Sequence, residues 1–277
     1  MSTELQSQVL GSANPLVLVH GDFGDGFESW SVACERIGKR RRTVVVDRPG
    51  FGEDLPADAR FSIADEARAL LDALADMAID SIHLVGHSYG GLIAIEMAGT
   101  RPEIVRSLHL IEPPLLDLLP EEPGVREMDR HVRWIVENHA ELGDEGATEA
   151  FFAMIGGQRM VERLRSSPDW TRLCTYATRF ARGEPAGSYP SSSLARLTRA
   201  IPVALYTGGR SHPALRLIAA ELASRIEGAR LVDVPEAGHA VHMSKEVFVD
   251  ALFNLVRDAD LSWPERDSAA SSETNGE

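Results

Sequence analysis

Cysteine, basic charge and long apolar runs are all scarce in this chain of 277 residues. The two cysteines, Cys34 and Cys174, are too few for a disulfide framework and form no metal-binding cluster; free, buried thiols are expected. Lys and Arg number 28 against 42 Asp and Glu, a net charge of −14 that repels phosphate backbones and anionic lipid, so neither nucleic-acid nor membrane binding is expected. No run of about 18 apolar residues is present, so no segment is expected to span a membrane. The opening Met1–Gln8 lacks the basic-then-apolar pattern of a signal peptide, and a soluble cytoplasmic protein is expected. The one basic run, Lys39–Arg42, precedes an apolar segment and reads as a solvated loop.

What the chain does have is alternation. Short runs rich in Val, Ile and Leu recur at Leu16–Val19, Thr43–Val46, Ile82–Val85, Leu108–Ile111, Val203–Tyr206 and Leu231–Val234. Most are continuous, as in strands buried on both faces. Helical patterns lie between them: Ile63, Ala67, Leu70, Leu71, Leu74 and Met77 share a helical face, with Ser62 as a candidate N-cap. Strand–helix–strand order predicts an α/β fold, a mostly parallel sheet with helices on both faces. The alternation breaks between about Pro113 and Ala200, in a stretch of helices and loops expected to form a helical cap over the sheet's active edge. The division expected is a core of residues 1–112 and 200–260, a cap of 113–199, and a disordered acidic tail over 261–277. The first fourteen residues carry little strand signal.

Three motifs carry chemistry. Gly86–Gly90 reads G-H-S-Y-G, after a buried strand and before a helix. That context makes it a nucleophile elbow: Ser88 sits on a tight turn, and the glycines remove side chains that would block approach to its hydroxyl. The following helix N-terminus offers N–H groups to developing negative charge. His20–Gly26 reads H-G-D-F-G-D-G at the end of the Leu16–Val19 strand. Its position points to the second oxyanion donor, the backbone N–H of Asp22 beside that of Tyr89, with Phe23 as the neighbouring candidate. A carboxylate beside an oxyanion is repulsive, so the Asp22 side chain is expected to turn away. His20 reads as structural. Ala237–His239 reads A-G-H just past the last strand run, placing an imidazole where the serine needs a base; His242 is the rival.

With these motifs and D-R-P-G-F-G at Asp47–Gly52, the chain resembles the α/β-hydrolase superfamily over about residues 15–112 and 200–258. Many members carry the triad acid after the strand corresponding to Val203–Tyr206. Here that loop, Thr207–Pro213, contains no carboxylate. Some members carry the acid after the preceding strand, the sixth of the family pattern, and Leu108–Ile111 is followed by Glu112, then Pro113 and Pro114. The resemblance therefore implies a Ser88–His239–Glu112 triad, with Asp117 as the second choice for the acid. It implies hydrolysis of a small-molecule carboxylic ester through an acyl-enzyme, without metal or organic cofactor. The placement of Glu112 before the prolines also resembles zearalenone-type lactone hydrolases, so a lactone is the alternative substrate. A non-hydrolytic ligand binder on the same fold is the alternative of a different class. Serine at the elbow separates the chain from haloalkane dehalogenases and epoxide hydrolases, which use aspartate there. Apolar side chains in the cap point to a hydrophobic substrate, with Phe23, Trp134, Phe151 and Phe152 as candidate pocket residues.

Overall fold

The computed structural model describes residues 5–8, 14–51, 59–197 and 201–262. The six apolar runs are all strands, and four of them extend by one to three residues beyond the apolar stretch. In chain order the strands are β1 (Leu5–Gln8), β2 (Leu16–Val19), β3 (Thr43–Val46), β4 (Ile82–His87), β5 (Val105–Ile111), β6 (Val203–Gly208) and β7 (Arg230–Val234). They form one seven-stranded sheet in the order β1-β3-β2-β4-β5-β6-β7. The six strands from β2 to β7 are parallel, and β1 runs antiparallel to β3 at one edge. β1 is an addition to the sequence reading. An edge strand paired on one side needs no apolar run, and L-Q-S-Q has none.

The helices are α1 (Gly26–Ile37), α2 (Ile63–Asp76), α3 (Tyr89–Thr100), α4 (Pro123–Glu137), α5 (His139–Gly156), α6 (Gln158–Arg165), α7 (Trp170–Thr175), α8 (Ala177–Arg182), α9 (Pro213–Arg225) and α10 (Lys245–Ser262). Ser62 caps α2 as expected, its hydroxyl accepting from the Asp65 N–H. α3 is buried from Tyr89 to Ala98, which is why its sequence is apolar all round rather than amphipathic. Two apolar clusters sandwich the sheet, one including Leu70, Leu92, Ile95 and Ile218, the other Trp30, Phe248 and Leu252. The strand order reverses between β2 and β4, and at such a point the loops leaving the two strands part and open a crevice. The expected acidic tail lies outside the described residues, apart from Leu261 and Ser262, which end α10.

Two expectations need correction. The basic run is not all solvated: Arg41 is buried. Its Nε donates to the Asn14 carbonyl at 2.6 Å and its Nη1 to Asp260 of α10 at 2.7 Å, so it fastens the last helix to the sheet. Cys34 and Cys174 are free but only partly buried. Burial pushes the Cys34 thiol up to about 11, so it stays protonated and unreactive at neutral pH.

A chain of polar side chains crosses the sheet near Arg41. His83 Nδ1 meets Ser107 Oγ at 2.7 Å, Ser107 Oγ meets His109 Nε2 at 2.8 Å, and His109 Nδ1 meets the Tyr206 hydroxyl at 2.9 Å. Burial, reinforced by Arg41, pushes His83 down to about 4; burial, with the His83 imidazole alongside, pushes His109 down to about 3. Burial also pushes His242 down to about 3. These imidazoles are neutral in the folded chain, whereas unfolded histidines titrate near 6.5, so between those values only the unfolded state takes up protons. Stability is therefore complete above about pH 6.5 and falls on acidification, by up to about 1.4 kcal/mol per histidine per pH unit. The urea midpoint should drop clearly between pH 7 and pH 5, and His109→Gln should lessen that drop. A midpoint that does not move would contradict neutral burial.

Candidate active site

Three non-glycine residues with positive φ sit at the ends of three neighbouring strands. They are Phe23 after β2 (φ 57°), Ser88 after β4 (φ 52°) and Glu112 after β5 (φ 44°). L-residues adopt this region only where the surroundings force it, and such strain gathers at functional sites. The forcing contacts are local. Ser88 N–H donates to the Ile111 carbonyl at 2.8 Å, and the Ser88 carbonyl accepts from Gly91 N–H at 2.7 Å, closing the turn into α3. The turn packs so closely that a side chain at Gly90 would collide with the His20 carbonyl, and one at Gly86 with the Gly90 carbonyl. Tyr89 opens α3, so its N–H belongs to the first turn, where no intrahelical acceptor exists.

Glu112 is fully buried and its carboxylate is saturated. Oε1 accepts from Thr207 Oγ1 at 2.9 Å and from Gly208 N–H at 2.8 Å. Oε2 accepts from the Ser211 hydroxyl and from His239 Nδ1, the latter at 2.7 Å. The end of β6 and the loop beyond it thus carry no acid but supply three donors to one arriving from β5. Sequence reasoning noted the missing carboxylate and passed over the hydroxyls of Thr207 and Ser211, which were the available signal. The loop bearing His239 is tied to the same region by Arg210 N–H on the Ala237 carbonyl at 2.9 Å. His87, next to Ser88, directs its Nε2 at the His239 carbonyl at 3.3 Å. Burial, then the neighbouring imidazoles His242 and His239, hold His87 well below the ordinary histidine value.

The rival residues are engaged elsewhere. His242 packs against the Trp30 ring at 4.5 Å and the His87 ring at 4.4 Å. Asp117 accepts from Ser191 N–H at 2.8 Å. His20 accepts the Arg48 N–H on Nε2 at 3.0 Å, with Nδ1 on the Gly21 carbonyl at 2.8 Å, a structural arrangement.

Ser88, Tyr89, Asp22 and His239 line one cavity. Its walls are largely apolar and come in good part from the helical stretch between β5 and β6. Of the four candidate pocket residues, Phe151 lines it; Phe23, Phe152 and Trp134 do not. Phe23 instead stacks on Phe151 with centroids 4.4 Å apart, and Phe152 packs edge-on to both. In α4 the cavity takes Met128, Val132 and Val136, spaced by one helical turn. Trp134, two residues on from Val132, points about 200° away around the helix and is 45% exposed. Among the described residues no group of three or more His, Cys, Asp or Glu side chains is arranged to hold a metal ion.

One charged cluster was missed. Arg48, of the D-R-P-G-F-G segment, is completely buried beside the cavity. Its Nε and Nη2 grip Glu66 at 2.8 and 3.2 Å, and its Nη1 reaches the Asp22 carboxylate and the Gly21 carbonyl, each at 3.0 Å. Arg179 of α8 meets the same Glu66 at 2.8 Å. Burial opposes the charge on Arg48, but Glu66 and Asp22 together hold it protonated above the ordinary guanidinium value. The cluster joins the β2 loop, α2 and α8, residues 22 to 179, a separation that no short motif spans. The Asp22 carboxylate is thereby committed to Arg48, which offsets its repulsion toward negative charge nearby.

Known proteins resemble this chain over most of its length. A family model described as the alpha/beta hydrolase family matches residues 16–251. A 2-hydroxy-6-oxo-2,4-heptadienoate hydrolase from Pseudomonas putida is 28% identical over 229 residues, covering 73% of this chain and 83% of that protein. A dihydrolipoyllysine-residue acetyltransferase component of an acetoin cleaving system, also from Pseudomonas putida, is 38% identical over 97 residues. That match covers 35% of this chain, which spans only 26% of that relative's length. Among solved structures, a thermophilic esterase from Thermogutta terrifontis has a TM-score of 0.74 at 20% identity, covering 93% of each chain. An α/β hydrolase from Sphaerobacter thermophilus gives 0.71 at 22% identity, covering 92% of this chain and 96% of the other. At these identities the structural likeness speaks for the fold.

Removing Arg48 leaves Asp22 without its ion partner and Glu66 with Arg179 alone. Arg48→Met should therefore lower unfolding stability by about 3–5 kcal/mol, measured by urea denaturation at pH 7. A loss below about 1 kcal/mol would mean that Asp22 and Glu66 find other partners or water.

Proposed function

Because the chain belongs to the alpha/beta hydrolase family, we propose that it is a serine hydrolase that cleaves a carboxylic ester of a small, apolar substrate. The carrying observation is the 2.7 Å contact between His239 Nδ1 and a saturated, buried Glu112, with His239 and the strained Ser88 facing one cavity. A hydrolase among the relatives and an esterase among the structural neighbours support this reaction class.

In this reading the Ser88 hydroxyl oxygen attacks the ester carbonyl carbon and His239 Nε2 takes the hydroxyl proton. Glu112 holds Nδ1 protonated and stabilises the imidazolium. The carbonyl oxygen, now negative, is received by the N–H groups of Tyr89 and Asp22. Collapse of the tetrahedral species breaks the bond to the alcohol, which leaves with the proton from His239. Water then gives its proton to His239 and its oxygen to the acyl carbon, and the acid departs as Ser88 recovers its proton. The helices between β5 and β6 act as a cap that keeps water from the apolar end of the cavity.

A lactone is the second substrate reading, favoured by Glu112 standing directly before Pro113 and Pro114. The steps are the same, except that the alcohol stays tethered to the acyl group.

Intact-mass measurement after fluorophosphonate treatment tests the reading without a guess about substrate. One adduct is expected on the wild type and none on Ser88→Ala. No labelling of folded wild type would move the protein to the ligand-binder class, and labelling at another residue would remove Ser88 as the nucleophile. Glu112→Gln should slow labelling and ester turnover by about 10³- to 10⁴-fold, because the amide favours the wrong imidazole tautomer. Near-wild-type rates in that variant would remove Glu112 from the triad.

A further inference from the structure

The charges around the cavity do not match its apolar walls. Asp22, Arg48 and Glu184 line it together with His239. Arg48 is the cation among these lining residues, and it is spoken for: Glu66 holds two of its nitrogens, and Asp22 shares the third with the Gly21 carbonyl. Arg179, the other guanidinium of the cluster, does not line the cavity. It lies over the Phe61 ring at 3.8 Å, with Nε on the Pro49 carbonyl at 2.7 Å and Nη2 on Glu66. Two guanidiniums against Glu66 and Asp22 sum to zero. Glu184 is a further acidic residue of the lining, with its Oε2 on the Ile63 N–H at 3.0 Å and its backbone carbonyl on the Tyr89 hydroxyl. The remaining wall is Leu116, Met128, Val132, Met154, Ile155 and their neighbours, which neither solvate an ion nor screen its charge.

We propose that Asp22 is a specificity-determining residue: by neutralising Arg48 at the cavity wall, it makes the site selective for uncharged substrates and turns away those bearing a carboxylate. The inference rests on the reading of this cavity as the substrate site. An entering carboxylate loses water among apolar side chains and meets the Asp22 carboxylate beside a guanidinium already saturated. A neutral acyl chain of the same length meets no such penalty. Selection therefore comes from a group that opposes the wrong ligand rather than one that grips the right one. Replacing Asp22 by Asn keeps an oxygen able to accept from Arg48 Nη1 and keeps the backbone N–H. It removes one negative charge, so the cluster carries +1 beside the cavity.

The test uses methyl hexanoate and monomethyl adipate, esters of equal acyl length that differ by a terminal carboxylate. Their binding to the full-length Ser88→Ala protein is measured by titration calorimetry at pH 7.5. Methyl hexanoate should bind at least about tenfold more tightly. Adding Asp22→Asn should strengthen monomethyl adipate binding and shrink the ratio at least about threefold, with Asp22→Ser as a second variant that removes the same charge. Equal binding of the two esters, preference for the adipate, or no binding of either overturns the proposal. So does an unchanged ratio in a folded Asp22 variant. Binding does not require turnover, so these outcomes are separate from fluorophosphonate labelling of Ser88, on which the hydrolase reading stands or falls.

Discussion

A carboxylate withdrawn from water is tolerated only where its lone pairs are filled, and Glu112 meets that condition with groups from three places. Thr207 and Gly208 come from the end of β6, Ser211 from the loop beyond it, and His239 from the loop after β7. Glu112 itself ends β5 with a positive φ, its N–H on the Tyr206 carbonyl at 3.2 Å. Take away the carboxylate and four donors lose their acceptor, the two loops lose their common anchor, and the His239 ring loses the contact that fixes its tautomer. The geometry beside Ser88 thus depends on one buried anion held at the sheet's edge, with the backbone of β4 and β5 as its rigid frame.

The sheet's two ends carry different kinds of polar burial. At the C-terminal ends of the strands lie Glu112–His239 and the Arg48–Glu66–Asp22–Arg179 cluster, in which charges are kept and paired. Near the start of β4 and β5, the chain from Asp260 through His83, Ser107 and His109 to Tyr206 is built from imidazoles that stay neutral. A neutral relay costs less to bury and ties α10 to the sheet. A charged cluster costs more, but it fixes the β2 loop, α2 and α8 in one arrangement around the cavity. At the relay's end the charges are Arg41 and Asp260, paired with each other where α10 meets the sheet.

Strain follows the same division. The positive φ values of Phe23, Ser88 and Glu112 lie at the crevice; Ala78, in the turn leading to β4, is the other non-glycine residue of this kind among the described residues, and the parallel pairing is regular apart from a register shift at Ile82 and His83. The strands hold these three residues in conformations they would leave in a free peptide. In the proposed mechanism that is what keeps the serine hydroxyl and the oxyanion donors in place before a substrate arrives.

Composition and periodicity alone determined the α/β architecture, because strands buried on both faces must be written as continuous apolar runs. Short motifs likewise marked Ser88 and His239, since a tight turn between strand and helix needs small residues at fixed spacing. Glu112 was reached through the absence of acid after β6, but the donors that make its burial possible were not. Thr207 and Ser211 mean nothing until β5 and β6 lie side by side. Arg48, Glu66 and Arg179 were likewise illegible, because no motif links Arg48 to Glu66, and Arg179 joins them from more than a hundred residues away, as decided by which loops meet at the crevice. Of the expected pocket residues Phe151 lines the cavity, whereas Trp134 does not, because helix phase decides. Trp134 and Val132 are close in sequence, yet on opposite sides of α4, one in solvent and one on the cavity. Local spacing wrote the strands and the tight turn at Ser88. Only the folded chain chose the partners of each buried charge, since a charge finds its partner through space.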